Sequence, residues 1–237
     1  MNLEESIANY QPTAEAIAVV KQAKIVLLAG IAGAGKDTIK GRLLQRDDFH
    51  DIVSHTTRPP RSNNGIDEID GIDYRFIDIT TAQAMIQNHE FIEVKFVHGT
   101  VYGTSVAAVR DASDNGKIAI TDVDVQGVDE YKAISSQVIA IFVLPPSYEA
   151  WLERLHKRYA SDDEFSAAFP RRRESAIKEL KRTLAVPYYH FLINDDLERA
   201  VQAADEIAHQ SDVFHRKDDE ARLVARDLLQ AIEQSAS

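Results

Sequence analysis

The sequence predicts an α/β fold, a parallel sheet flanked by helices, on three observations. Short apolar runs of strand length alternate with segments of helical periodicity along the chain. The composition, 44% hydrophobic and 27% charged, is that of an ordinary globular protein. The 237 residues are enough for one or two domains with a substantial core. No apolar run approaches the roughly 20 residues of a membrane span, and the longest, 25–28 and 138–144, are strand-sized. The start, Met-Asn-Leu-Glu-Glu-Ser, lacks the basic and apolar regions of a signal peptide. With no cysteine there is no disulfide framework, thiolate metal site or thiol nucleophile, which points to the reducing cytoplasm.

Taken in order, a helix at 13–22 leads to the most apolar strand, 24–29 (Lys-Ile-Val-Leu-Leu-Ala), and a helix at 36–46. A strand at 51–55 precedes a long polar loop, Pro59–Gly71, which reads as a functional loop more than a linker. Next come a strand at 73–77, a helix at 80–89, a strand at 91–97 and a helix at 104–113, closed by the turn Asp114-Asn115-Gly116. The strand at 117–122 is followed by a helix at 126–134. The strand at 138–144 ends at Pro145-Pro146-Ser147, which caps a helix at 147–158. A helix at 171–186, a strand at 190–193 and a helix at 195–209 follow. The last helix, about 217–234, sets Ala221, Val224, Leu228 and Ile232 in one apolar stripe. No internal repeat or low-complexity segment is evident.

The formal net charge of −11 disfavours a nucleic-acid binder and, taken as a total, any polyanion binder. Its distribution says more. Residues 62–131 carry −9, whereas 154–182 carry +4 through Arg154, Lys157, Arg158, Arg171, Arg172, Arg173, Lys178, Lys181 and Arg182. Such a basic stretch is by default a solvated helix face, unless another part of the chain also prepares for phosphate.

One part does. Gly30-Ile-Ala-Gly-Ala-Gly-Lys36-Asp37-Thr38 follows an apolar strand and opens a helix, in the G-x-x-x-x-G-K frame of a P-loop. Gly30, Ala32, Gly33, Ala34 and Gly35 let backbone N–H groups converge on phosphate oxygens at the positive end of the helix. Lys36 supplies a mobile point charge. Residue 37 is Asp where the motif expects Ser or Thr for Mg²⁺. Thr38 can hold the ion, directly or through water; Asp37 either ligates it instead or repels phosphate and weakens binding, and the residues leave this open.

Further fragments follow in order: Ser54-His-Thr-Thr-Arg58-Pro-Pro-Arg61, Glu68 to Tyr74-Arg-Phe76, Phe91-Ile-Glu93, Tyr102-Gly-Thr104-Ser105, Asp122-Val-Asp124, Arg154 with Arg158, and Ile193-Asn194-Asp195-Asp196. Over about residues 24–200 this series resembles the guanylate kinases. The resemblance implies a P-loop kinase core over 23–204, with a small acceptor-binding subdomain at about 54–105 and a helical lid at about 155–173. Helical extensions would lie at 1–22 and 205–237. Glu93 and Asp124 would accept from the guanine N1–H and 2-amino group, with Asp122 beside Asp124 on one strand face, and Ser54 and Thr104 would serve O6. Adenine would leave those carboxylates unpaired. Arg58, Arg61, Tyr74 and Tyr102 would hold the GMP phosphate, and Glu68 would orient the arginines. Arg154 and Arg158, with Arg172 on the return helix, would close over the ATP phosphates, and Asn194 would meet the adenine edge. His55, His98 and His190 lack metal-ligand spacing and read as structural.

The activity so implied is ATP-dependent phosphorylation of GMP, and of dGMP as well, by direct transfer with Mg²⁺. Lys36, Arg58, Arg154, Arg158 and Arg172 would be catalytic, by positioning and neutralising charge in a site that closes against water. The partners would be small nucleotides, with no nucleic acid and no membrane, in a cytoplasmic monomer or homodimer. Two other readings stand beside it. One is a kinase of this fold with another phosphorylated acceptor, opposed by the full Ser54, Glu93, Thr104 and Asp124 set. The other is a guanylate-kinase-like binding module, opposed by Lys36. The 61–68 linker and the lid both exceed the family's length, and the lid filling, 159–169, is aromatic and acidic.

Overall fold

A computed structural model describes residues 2–63, 66–97, 99–209 and 216–235. In chain order the elements are α1 (Leu3–Ala8), α2 (Ala14–Gln22), β1 (Ile25–Ala29), α3 (Lys36–Leu43), β2 (Phe49–Asp51), β3 (His55–Thr56), β4 (Ser62–Asn63), β5 (Ile66–Asp67), β6 (Arg75–Phe76), α4 (Ile79–Gln87), β7 (Phe91–Val97) and β8 (Thr100–Ser105). There follow α5 (Val106–Asp114), β9 (Ile118–Asp122), α6 (Val125–Ile134), β10 (Ile139–Leu144), α7 (Tyr148–His156), α8 (Asp162–Leu184), β11 (Tyr189–Ile193), α9 (Leu197–His209) and α10 (Arg216–Gln234). The chain divides into two compact units. The first comprises Met1–Ile25, Asp47–Thr121 and Glu130–Val138; the second comprises Val26–Arg46, Asp122–Asp129 and Ile139–Ser237. No helix among the described residues is long and apolar enough to cross a membrane.

In the first unit a four-stranded sheet runs β6–β3–β8–β7, and β2 pairs in parallel with β9. The β7–β8 ladder is antiparallel and sets Glu93 opposite Thr104, with a register shift between Phe91 and Glu93. The β3–β8 ladder pairs His55 with Gly103 and Thr56 with Tyr102. The 51–55 strand read from the sequence is two short strands, since Ile52, Val53 and Ser54 leave the ladder between them. Strand β8 lies where the periodicity showed only the start of a helix; that helix begins at Val106, capped by the Ser105 hydroxyl on the Ala108 N–H. Helix α1 packs Ile7 into an apolar cluster with Ile86, Phe91, Val94 and Val101. The Tyr10 hydroxyl donates to the Phe91 carbonyl (2.6 Å) and accepts from its N–H (3.0 Å), satisfying backbone on the edge strand β7.

In the second unit the strands β11, β10 and β1 run parallel, with Ile141 between Leu28 and His190 in register. Strands β1 and β10 are buried along their whole length, as a parallel sheet covered on both faces requires. Helices α3, α7 and α9 each follow the carboxyl end of one of these strands, where ligands collect in open α/β sheets. Helix α8 begins nine residues before the 171 read from periodicity. Ser161 caps it, three acids occupy its first turn and Lys181 and Arg182 its last, so both ends suit the helix dipole. Pro170 inside α8 obscured this continuity, because it removes one N–H from the ladder. On α10 the buried stripe is Ala221, Ala225, Leu228 and Ile232, with Val224 half-buried beside it. Arg222 stacks on Phe191 (4.7 Å), and Arg173 donates to the Ile232 and Glu233 carbonyls, so α10 is fastened within this unit.

Candidate active site

Each unit gathers part of the residues singled out in the sequence. In the second, Gly33, Gly35, Lys36, Asp37, Thr38, Arg154, Arg158, Asn194, Asp195 and Leu197 line a pocket of about 550 Å³. The loop that forms its floor has its carbonyls tied by donors in sequence. Gly30 accepts from Lys36 Nζ (2.6 Å), Ile31 from the Ala34 N–H (3.1 Å) and Ala32 from Trp151 Nε1 (2.9 Å). Ala34 accepts from Asn194 Nδ2 (2.8 Å) and Gly35 from the Ile39 N–H (3.2 Å). With its carbonyls so engaged, the loop offers N–H groups and the opening turn of α3 to an anion. Gly35 caps α3 at φ 93°, in the left-handed region, and a Cβ there would fall on the Asn194 amide. The same packing allows no Cβ at Gly30, which meets the Val143 carbonyl.

Arg154 is held by a bond from one terminal nitrogen to the Asn194 carbonyl (2.9 Å), while its other terminal nitrogen, Nη1, is buried with no partner among the described residues. A guanidinium nitrogen so placed beside a loop of N–H donors suits an anionic oxygen. Arg158 is exposed at the same pocket. Arg172 is exposed and donates to the Tyr159 hydroxyl (3.1 Å), and it is not among the pocket's lining residues. The aromatic side chains around 151–169 pack on one another, Trp151 on Phe169, Phe169 on Phe165, and Phe165 on His156 and Tyr159. Trp151 thus joins the start of α8 to the loop. The sequence reading passed over it, although its spacing of three from Arg154 puts both on one face of α7.

Glu179, on α8, also went unremarked. Burial pushes its carboxyl above the ordinary range, against the Ser175 hydroxyl, Lys36 and Arg172, while the like charge of Asp124 raises it further. Asp122 pairs with Lys40 (3.2 Å), and Asp124 accepts from the Gly127 N–H (2.7 Å) at the start of α6.

In the first unit the sheet register lines up a polar row. Thr104, fully buried, donates to Glu93 Oε1 (2.7 Å), and its oxygen lies 3.4 Å from the Ser54 hydroxyl. Glu93 and Thr104 face each other across the β7–β8 ladder, and Ser54 stands immediately before β3, which pairs with β8. Beside it, Arg58 and Glu68 form a two-pronged pair (2.8 and 2.9 Å). That pair holds the Glu68 carboxyl below its ordinary range, with help from the Arg61 N–H (2.8 Å). The long 61–68 linker is accommodated by pairing Ser62 with Asp67 and Asn63 with Ile66, which returns Glu68 to Arg58. The Arg58 guanidinium lies over the Tyr74 ring (5.3 Å), and Tyr74 meets Tyr102 edge-on (6.0 Å). The Arg61 side chain is exposed. His98 lies outside the described residues, and His55 and His190 belong to strand packing.

Comparison with known proteins identifies the family. A family model described as Guanylate kinase matches residues 22–211. The chain is 39% identical over 178 residues to Guanylate kinase 1 of Oryza sativa subsp. japonica, covering 74% of this chain but only 45% of that protein. It is 38% identical to the guanylate kinase of Myxococcus xanthus, covering 74% of this chain and 81% of that one. Against the guanylate kinase of Alkalilimnicola ehrlichii the identity is 34% over 209 residues, 86% of this chain and 98% of that one. Among solved structures, the crystal structure of guanylate kinase from Anaplasma phagocytophilum matches with TM-score 0.59 and 26% identity, over 81% of this chain and 87% of that one.

Proposed function

Because the chain belongs to the guanylate kinase family, we propose that it transfers the γ-phosphoryl group of ATP to the 5′-phosphate of GMP, and of dGMP, giving ADP and GDP. The observation that carries the acceptor choice is the row Glu93–Thr104–Ser54. A carboxylate beside two hydroxyls matches a base edge with adjacent N–H donors and a carbonyl, and leaves adenine with unmatched partners.

The attacking group is already an anionic phosphate oxygen, so the protein's work is positioning and charge neutralisation rather than proton abstraction. The loop from Gly30 to Gly35 and Lys36 hold the donor phosphates, Arg154 and Arg158 neutralise the oxygens of the group in transit, and Arg172 joins them from the lid. Arg58, aligned by Glu68, binds the acceptor phosphate with Arg61, Tyr74 and Tyr102. Glu93 and Asp124 take the guanine N–H groups, with Asp122 at the rim. Asn194 supports the loop and borders the adenine. A kinase of this family uses a divalent metal. The Thr38 hydroxyl and Asp37 carboxylate are hard oxygen donors lining the Lys36 pocket, a set that suits Mg²⁺ directly or through water. Bound there, Mg²⁺ would offset charge on the donor phosphates. Residues 23–204 would form the catalytic domain, and the absence of cysteine supports a cytoplasmic setting.

ADP release measured with GMP, dGMP, AMP, CMP and UMP tests this reading. We expect turnover with GMP and dGMP, and at least about a hundredfold lower kcat/KM with the others. No turnover with GMP would sink it.

A further inference from the structure

One buried polar group beside the acceptor row has no part in the account above. Tyr131 on α6 is fully buried, and its hydroxyl has no hydrogen-bond partner among the described residues. A phenylalanine would fill the same space without stranding a hydroxyl, so the oxygen calls for an explanation. A neighbouring ion pair ties this turn of α6 to β7. Glu130, the preceding residue, pairs with Lys95 (3.5 Å), and Lys95 stands two residues beyond Glu93 on the same face of β7. Burial first, then the Glu93 charge, push the Tyr131 phenol upward, opposed by the Thr104 hydroxyl. The phenol is therefore a neutral donor throughout the physiological range, close enough to Glu93 and Thr104 for both to act on it.

Thr104 carries a single proton, and it points to Glu93. While it does, the threonine cannot donate to a purine carbonyl. Once the base N–H groups occupy Glu93, that proton is released to turn toward O6, and the threonine oxygen then needs a donor behind it. Ser54, at 3.4 Å, is at the edge of hydrogen-bond range. We propose that Tyr131 is a positioning residue for guanine recognition, its hydroxyl donating to Thr104 and so directing the Thr104 proton onto the base carbonyl. This rests on the GMP reading above.

The test is Tyr131→Phe, assayed with GMP, with IMP, which keeps O6, and as inhibition by the 5′-monophosphate of 2-aminopurine riboside, which lacks O6. KM for GMP and IMP should rise alike, by about fivefold. The kcat, the KM for ATP and the 2-aminopurine inhibition constant should stay put. The free variant should melt no lower than the wild type, since the lost hydroxyl had no partner. In a Thr104→Val background the substitution should have no effect on KM. An unchanged KM for GMP in Tyr131→Phe overturns the inference, and so does weakening that extends equally to the nucleotide without O6. Failure of the GMP reading itself would show separately, as a wild-type protein that does not turn over GMP.

Discussion

In the 30–36 loop the groups that keep the shape are mostly buried and neutral: the Trp151 indole, the Asn194 amide and the loop's own N–H groups, each donating to a loop carbonyl. Around residues 54–104 they are side chains in a strand register, with a carboxylate at each key point, Glu93 on Thr104 and Glu68 on Arg58. The first arrangement holds backbone by packing, and its energetics should be nearly indifferent to pH and salt. The second holds ionisable side chains by charge-assisted bonds, which weaken when the carboxylates are protonated or screened. On the function proposed, the loop presents fixed N–H groups to phosphate, whereas the row reads a base and needs protons that can be redirected. The difference in materials follows from that difference in task.

The largest effect should come from the one cation inside the neutral loop. Lys36 reaches across to the Gly30 carbonyl and shares its pocket with Arg154, and on the function proposed its charge supplies stabilisation needed only during transfer. Lys36→Ala should lower kcat by at least about a hundredfold, while GMP affinity measured by calorimetry stays within about twofold. A collapse of GMP affinity together with turnover would mean that the two clusters do not divide donor from acceptor.

A smaller effect is expected at the packing that supports this loop. Trp151→Phe keeps most of the aromatic bulk against Phe169 but strands the Ala32 carbonyl, a loss of about 1–2 kcal/mol. The KM for ATP should rise several-fold and the KM for GMP should not change. Equal rises in both would mean that Trp151 supports the fold in general and not the loop.

Part of this was legible in the sequence. The loop carries its information locally, in a glycine spacing that only a phosphate-cradling turn needs, so strand β1, the loop and helix α3 were readable from a dozen residues. Strand β8 was not. Its alternation is short and broken by Gly103, and pairing with β3 and β7 makes it a strand. Helix α8 was read late because Pro170 is a strong local stop signal that tertiary packing overrides. The ionic partner of Arg58 was legible, since Glu68 follows in the family pattern. Trp151, Tyr131 and Glu179 were not, because each matters through a neighbour distant in sequence, and a lone tryptophan or tyrosine in a helix looks like ordinary core.

The smallest effect separates the two kinds of support by pH. The Arg58 guanidinium, chiefly through its hydrogen bonds, keeps the Glu68 carboxyl below its ordinary value, and Glu68 is largely shielded, with 15% of its side chain exposed. A carboxyl depressed in the folded state stabilises it fully above the unfolded value, about 4.3. That contribution is lost as pH falls through the lower, folded value. Glu68→Gln should therefore cost about 1 kcal/mol at pH 7, and the gap to the wild type should close progressively below about pH 4. Salt at about 1 M should narrow the gap at pH 7 and leave the Trp151→Phe deficit unchanged. If the Glu68→Gln deficit persisted undiminished at low pH, the 58–68 segment would be held by its backbone pairing, as the phosphate loop is, and the contrast between the two regions would fail at this point.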